Sequence, residues 1–468
     1  MKKKTKIICS IGPATISTVV LEKLVKEGMN VARINFSHAS MEERTEVVTK
    51  IETVRKTTNK HIGLLCDTKG PELRCGNMAN DSIKLEVGKN IKIVKEDVLG
   101  TTKSFSINHK EVIDILEVGD MILLENALMS MKVVEKKEDY VTCSIISGGV
   151  LGSKKSMSIP GKHLNIDYLS KEDIEDIKYA SSIKADFLAL SFVSCKEDII
   201  EVKKLLEIDG NTDIKIIAKI ENMSGIKNID GILAESSGIM VARGDLGVEV
   251  PLEKLPIYQK ELIKKCRNVG KICIVATEML ASMQTEPRPT RAEVSDIFNA
   301  VIEGADAVML SGETTIGKYP VNAVKYMSKV CKQAERSYHS YKTKNNDQVN
   351  FTDVIAKSVV DASDSLEINA IVAATMTGYT ARKISNLKPK SIIIAICTKE
   401  SVARSLSLNW GVYPIVIPEY KSTDEVVDKA KAVAIELLNL KKEDNIIITG
   451  GFPAGKTRNT NFMKIEKI

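Results

Sequence analysis

Short runs of β-branched and aliphatic residues alternate with amphipathic stretches along most of the chain, a rhythm that predicts parallel βα units. The first runs are Lys6 to Ile11, Asn30 to Ile34 and Ile62 to Cys66, separated by helical patterns at Val19 to Glu27 and Met41 to Lys56. From Glu72 to about Pro160 the period shortens to two. Alternating runs at Ser82 to Val87, Asn90 to Lys95, Met121 to Leu124, Met131 to Glu135 and Tyr140 to Ile146 are punctuated by Gly-Lys-Asn, Val-Gly-Asp and Gly-Gly. This predicts a small β domain inserted into the first.

The βα rhythm resumes at Ser170, with strands expected at Phe187 to Ser191, Ile214 to Ile220, Ile239 to Val241, Ile272 to Ala276 and Ala307 to Leu310. With the three N-terminal runs these make eight, the number that closes a (β/α)8 barrel. Tyr341 to Asn350 reads as a polar linker. Beyond it, Ala370 to Ala374, Ser391 to Cys397, Val412 to Ile417 and Asn445 to Thr449 alternate with helical patterns, predicting a separate open α/β domain. The expected fold is a TIM barrel (1–70 and 161–340) carrying an inserted small β-barrel (71–160) and a C-terminal α/β domain (351–468). No internal repeat stands out.

Composition narrows the function classes. At 468 residues the chain has room for two to four domains, and 43% hydrophobic content supplies their cores. Lys+Arg at 67 against Asp+Glu at 61 leaves +6, spread along the chain, and aromatics are 4%. That argues against a dedicated nucleic-acid binder, which needs a basic stripe with interleaved aromatics. Nine cysteines without a C-x-x-C pair, several inside apolar runs (Cys9, Cys66, Cys273, Cys397), read as small core hydrophobes in a reducing compartment. With no signal-peptide pattern after the Lys-rich start and no membrane-length apolar run, the expectation is a soluble cytoplasmic protein. The N-terminal lysines and Lys441-Lys442 read as solvated surface, Trp410 as a packing residue, the 16 methionines as core filler, and the five histidines as too dispersed for a metal cluster.

Candidate chemistry concentrates at two strand ends. Glu221 follows the run Ile214 to Ile220, and Asp245 follows Gly238 to Ala242 through a tight Arg-Gly-Asp turn. On neighbouring parallel strands both carboxylates emerge at one rim, where a hard divalent cation bridges them to an anionic substrate, with Lys219 a fixed positive charge alongside. Two ordinary solvated carboxylates are the bland alternative. The clustering of Lys219, Glu221, Gly244 and Asp245 at strand ends favours chemistry in which negative charge develops on oxygen, such as enolate formation or phosphoryl transfer.

The segments KIEN (Lys219 to Asn222) and MVARGDLGVEVP (Met240 to Pro251) resemble those of pyruvate kinases. So do INFSH at Ile34 to His38, CDTKGPELR at Cys66 to Arg74, and the long stretch from Pro287 to Pro320, all in that family's order. The resemblance implies transfer of a phosphoryl group between phosphoenolpyruvate and ADP, giving pyruvate and ATP. It implies that Glu221 and Asp245 hold Mg2+ (or Mn2+), that Lys219 neutralises the transferring group and the incipient enolate, and that Arg33 and Arg74 bind the phosphoryl group and nucleotide phosphates. Gly244, Asp245 and Thr277 would orient pyruvate, with Thr277 and Ser311 near the face where the enolate is protonated. Asn35, Ser37, Asp67 and Thr68 match a K+ site; Asn35, His38, Arg74 and Lys155 match nucleotide contacts, Lys154 and Lys155 belonging to the phosphate contact of the inserted domain, which would act as a lid. Thr375, Thr377, Gly378 and Thr380 match a loop that binds a regulatory sugar phosphate. The resemblance also suggests a homotetramer, with Arg288 and Arg291 near a subunit contact.

Departures from the family pattern gather in the lid. Glu125-Asn126-Ala127 replaces Asp-Asp-Gly, and Lys155-Ser-Met-Ser158-Ile-Pro-Gly replaces Lys-Gly-Val-Asn-Leu-Pro-Gly. Others are Ala39, Ser194, Ser237 and Glu278, while Arg458 and Asn459 stand where Gly-Thr is expected and Ser422 to Leu438 offers no matching arginine and tryptophan for the effector. Gly450 to Thr457 satisfies a phosphate-loop pattern, but the following Asn461 to Ile468 alternates like a strand, so the match reads as accidental and closer to the family's last hairpin loop. Two rival functions are a Mg2+-dependent carbon-carbon lyase acting on a 2-oxoacid and a non-catalytic paralogue that senses nucleotide or sugar phosphate.

Overall fold

The computed structural model describes residues 2–162, 164, 166–337, 350–419, 422–452 and 459–468. The first βα units begin with β1 (Lys6–Ser10), β2 (Val31–Asn35) and β3 (Gly63–Asp67). Their helices, Thr18–Glu27 and Met41–Thr58, start where the sequence offers caps: Ser17 accepts from the Val20 amide, and Ser40 and Glu43 form a reciprocal capping box.

The inserted segment holds β4 (Ser82–Leu85), β5 (Asn90–Val94), β6 (Ser104–Ser106), β7 (Met121–Leu124), β8 (Met129–Lys136), β9 (Tyr140–Ser147), β10 (Gly149–Gly152) and β11 (Met157–Ser158). They pair as a six-stranded sheet, β11-β7-β8-β9-β5-β6, and a two-stranded ladder, β10-β4, over one apolar core that includes Ile91, Ile93, Phe105, Met131 and Val141. The segment is therefore a sheet domain and not a single closed ring of paired strands. Three of its strands, β6, β10 and β11, are too short or too Gly-rich to carry an alternation legible in the sequence.

The chain then returns through β12 (Phe187–Leu190), β13 (Lys215–Ile220), β14 (Gly238–Ala242), β15 (Ile272–Ala276) and β16 (Ala307–Leu310). With β1 to β3 they close an eight-stranded parallel barrel in the order β1-β16-β15-β14-β13-β12-β3-β2. Its interior is filled by Ile8, Val31, Leu65, Phe187, Ile217, Met240, Ile274 and Met309, so it is a packed core and not a channel. The C-terminal part adds β17 (Ala370–Ala374), β18 (Ile392–Cys397), β19 (Val412–Val416), β20 (Asn445–Gly450) and β21 (Phe462–Lys467), in the order β19-β18-β17-β20-β21. β21 alone runs antiparallel, against β20, and apolar clusters cover both faces.

Most of the expected linker and most of the Gly450 to Thr457 loop lie outside the described residues. One expectation is corrected. Lys3, Lys4 and Lys6 are buried, not solvated. The C-terminal domain seals the amino-end mouth of the barrel over them: Lys6 donates to the Val412 carbonyl, Lys4 stacks on Trp410 at 5.0 Å, and Glu335 accepts from the Lys4 and Thr5 amides. Long lysine stems lend themselves to this, since they bury methylenes while the head finds carbonyls. Eight of the nine cysteines are buried and all are free.

Candidate active site

Every barrel strand delivers a candidate residue to the same carboxyl-end rim. Ser10 ends β1, Arg33 and Asn35 end β2, and Asp67 and Thr68 end β3. Ser191 follows β12, Lys219 and Glu221 sit at the end of β13, Gly244 and Asp245 follow β14, Thr277 follows β15, and Ser311 follows β16. Register pairs Asn35 with Asp67 across β2 and β3, so two residues distant in sequence are neighbours.

At the centre lies a buried charge network. Lys219 Nζ is 3.1 Å from Asp67 Oδ1 and 3.0 Å from Glu221 Oε1, and it donates to Ser191 Oγ at 2.7 Å. Arg33 donates through Nε to Asp67 Oδ2 and through Nη1 to Ser10 Oγ, both at 2.7 Å. Burial works against the charge of Asp67, but the adjacent Arg33 and Lys219 outweigh it and lower its pKa. Burial likewise opposes the Lys219 ammonium, and the carboxylates of Asp67 and Glu221 reverse the sign and raise its pKa. Lys219 is thus a permanent cation, suited to neutralising an anion and unsuited to acting as a base.

Glu221 is the strained member. It is fully buried, and burial pushes its carboxyl up to about 8, with Asp245 adding to the rise and Lys219 opposing it. Oε2 accepts from the Phe192 amide at 2.7 Å, whereas Oε1 meets only the Lys219 ion-pair contact and has no hydrogen bond in proper geometry. A buried carboxylate oxygen left this way is costly. A cation shared with Asp245 relieves that cost, so the residues fit a divalent metal. Among the described residues no three His, Cys, Asp or Glu side chains converge as a metal-binding group. Two carboxylates leaving the remaining positions to substrate oxygens and water is how Mg2+ is commonly held.

Thr277 aims the loop that carries Asp245. Its Oγ1 accepts from the Gly244 amide at 2.8 Å and donates to the Ala276 carbonyl at 2.6 Å. Thr277 and Glu278 both have left-handed backbones (φ 69° and 52°), strain of the kind that gathers at functional sites. Arg243 anchors the same turn by a two-oxygen contact with Asp296. The Ser311 amide donates to the buried Glu313, which also accepts from the Leu280 amide.

Sequence profiles described as "Pyruvate kinase, barrel domain" and "Pyruvate kinase, alpha/beta domain" match residues 2–324 and 353–466. The chain belongs to the pyruvate kinase family. It is 44% identical over its full length to pyruvate kinase of Geobacillus stearothermophilus, covering 81% of that protein, and 44% identical to that of Staphylococcus epidermidis, covering 80%. The crystal structure of a pyruvate kinase from Cryptosporidium parvum superposes with a TM-score of 0.93 at 34% identity, over 99% of this chain and 96% of that one. The family is one of phosphotransferases.

The remaining residues that match the pyruvate kinase pattern are more scattered. The Ser37 amide donates to Asn35 Oδ1 at 3.2 Å, leaving Ser37 and His38 on an exposed turn beside the rim. Arg74 and Lys155 stand in the inserted domain, outside the central network. Arg74 pairs with Glu72 and donates to the Lys154 carbonyl, and Lys155 pairs with Glu125 at 2.6 Å. A cleft of about 280 Å³ separates that domain from the rim, lined in part by Leu73, Ser158, Phe192, Asp245 and Glu249. Ser158, one of the lid departures, donates to Glu249 and so ties β11 to the short helix Arg243–Glu249 that carries Asp245. In the C-terminal domain Gly378 (φ 79°) opens the helix Tyr379–Asn386, Thr375 is buried, and Thr380 Oγ1 is 2.8 Å from Thr460 Oγ1. The Thr377 carbonyl accepts from Arg382.

Reading the sequence alone missed Ser10, Ser191 and the Phe192 amide. Ser191 had a signal: it ends the strand-like run Phe187 to Ser191, and only the register across the barrel turns that position into a contact with Lys219.

Proposed function

We infer that this chain catalyses phosphoryl transfer from phosphoenolpyruvate to ADP, giving pyruvate and ATP, at the rim where Lys219 lies between Asp67 and Glu221. The observation that carries the reading is this buried cation set against a carboxylate oxygen with no hydrogen bond of its own. Glu221 and Asp245 are the residues that would hold Mg2+ or Mn2+, and Asn35, Ser37, Asp67 and Thr68 those that would hold K+. When bound, these ions supply positive charge for the substrate's carboxylate and bridging oxygen.

The chain's own residues do the rest. Lys219 and Arg33 bind and neutralise the phosphoryl group as it leaves, and Lys219 then faces the enolate oxygen. The Gly244 and Asp245 backbone and Thr277 orient the pyruvate moiety; Thr277 and Ser311 border the face on which carbon is protonated. Asn35, His38, Arg74 and Lys155 take the nucleotide phosphates once the inserted domain closes as a lid and excludes water. Thr375, Thr377, Gly378 and Thr380 form a candidate effector site for a sugar phosphate, and a homotetramer is the proposed assembly.

The test is a coupled pyruvate-release assay with phosphoenolpyruvate, ADP, Mg2+ and K+. ADP-dependent release by the wild type, abolished by EDTA and lowered about a hundredfold or more in Lys219→Met, is the expected result. No release by a folded, Mn2+-binding wild type, with other diphosphates and sugar phosphates also tried, would sink the reading.

A further inference from the structure

The turn after β12 does more than join a strand to a helix. Ser191 is held at every polar atom. Its amide donates to Thr68 Oγ1 at 3.3 Å, its carbonyl accepts from the buried Tyr168 hydroxyl at 2.9 Å, and its own hydroxyl donates to the Thr68 carbonyl at 2.6 Å. With its proton on the Thr68 carbonyl, Asp67 Oδ1 being a more distant acceptor at 3.4 Å, Ser191 Oγ presents a lone pair, and Lys219 Nζ donates to it at 2.7 Å. This is the shortest of the three contacts that the ammonium makes. The next residue, Phe192, has a left-handed backbone (φ 54°), which a bulky side chain rarely adopts, and that geometry aims its amide at Glu221 Oε2. Gly70 packs so closely beneath that an added Cβ would lie 2.8 Å from Ser191 Cβ and from its carbonyl oxygen. The turn therefore cannot drift away from the rim.

We propose that Ser191 is a positioning residue for Lys219, pinning the ammonium by an oriented hydroxyl so that one N–H remains directed at the transferring phosphoryl group. An ammonium has three N–H bonds. Ser191 holds one of them in a hydrogen bond, while Asp67 Oδ1 at 3.1 Å and Glu221 Oε1 at 3.0 Å lie at ion-pair distance. Glu221 Oε1 has no hydrogen bond, and an N–H that Ser191 does not hold is one that an incoming substrate oxygen can take over. Remove the hydroxyl and the side chain is held by charge alone, which fixes distance but not direction. The proposal deepens the phosphotransfer reading and rests on it.

The experiment compares wild type with Ser191→Ala by steady-state kinetics, by Mn2+ affinity from electron paramagnetic resonance, and by crystal structures of both proteins. A misplacement of about 1 Å in a catalytic group costs up to roughly a hundredfold. The expected outcome is a kcat lower by roughly ten- to a hundredfold. KM for phosphoenolpyruvate and Mn2+ affinity should stay within about threefold, with Lys219 Nζ displaced or spread over several rotamers. Ser191→Cys, which keeps the volume but not the strong acceptor, should behave like the alanine variant. A kcat for Ser191→Ala within about twofold of wild type overturns the proposal, as does an unmoved Lys219 Nζ. A parallel loss of Mn2+ affinity also overturns it, because the whole site would then have collapsed. An inactive wild type defeats the phosphotransfer reading, whereas an active wild type with an equally active alanine variant defeats only the role of Ser191.

Discussion

At the scale of single residues, the candidate site satisfies its cations and Asp67 and leaves Glu221 short of partners. Arg33 and Lys219 both lean on Asp67, so the carboxylate that resemblance assigns to K+ is also the counter-ion of both cations. Glu221, buried with the Phe192 amide on one oxygen, the Lys219 ion pair near the other and Asp245 repelling it, is left demanding a cation. Thr277 stands between these demands and the backbone. Its hydroxyl fixes the Gly244 amide and hence where Asp245 points. Thr277→Ala removes that acceptor, and one lost hydrogen bond of about 1 kcal/mol translates to a roughly fivefold weaker Mn2+ affinity, accompanied by a fall in kcat. Thr277→Ser keeps the hydroxyl and should retain most of both. Titration of Mn2+ by electron paramagnetic resonance, alongside turnover, checks the pair; equal affinity in wild type and alanine variant would mean that the loop is held by Arg243 and Asp296 instead.

At the scale of elements, the substituted lid is where sequence and backbone geometry disagree. Glu125, Asn126 and Ala127 all have positive φ (48°, 55° and 64°) in the turn joining β7 to β8. Asn tolerates that region, and Ala, with its Cβ against the following carbonyl, pays for it. Ala127→Gly should therefore stabilise the inserted domain by about 1 kcal/mol, read as a higher melting temperature, unless glycine's extra freedom in the unfolded chain offsets the gain. A lower melting temperature in the variant would show that the unfolded-state term wins at this turn. Barrel strands were legible in the sequence because a parallel strand buried on both faces reads as a continuous apolar run, as Ile272 to Ala276 does. The insertion was legible where apolar and polar residues alternate, even over four residues as in Met121–Leu124. β6, β10 and β11, of three, four and two residues, lack a clear alternation and draw their order from tertiary pairing. The acid pair and Lys219 were legible for the same reason as the strands they end. Ser191 was not, because its partner Lys219 comes from the next strand of the barrel, 28 positions later in the chain.

At the scale of the whole molecule, the candidate active rim is at one end of the barrel and the C-terminal domain plugs the other. Leu408 belongs to the same apolar cluster as the barrel interior, so the two domains share a core. Around that plug the protein buries lysines: Lys388 pairs with Asp306 at 2.5 Å, while the Lys3, Lys4 and Lys6 ammonium groups donate mainly to carbonyl oxygens, with the Glu335 and Asp364 carboxylates nearby. Lys6 is the clearest case. Burial, with the nearby Lys3 adding to it and Glu335 opposing it, lowers its pKa from 10.5 to about 7. In the unfolded chain it keeps its proton to about 10.5, so between those values the unfolded state binds more protons and stability rises with pH. Below pH 7 the folded protein carries the charge as well and bears the full penalty of burying it. Lys6→Met removes the titrating group while keeping most of the buried stem. Melting temperatures measured from pH 7 to 9 should therefore climb more steeply in wild type than in Lys6→Met, the two curves converging toward alkaline pH. Parallel curves would mean that water or the Val412 carbonyl stabilises the ammonium enough to keep it charged, and that the seam between the domains is held by Leu408 and the Lys388–Asp306 pair without any contribution from Lys6 titration.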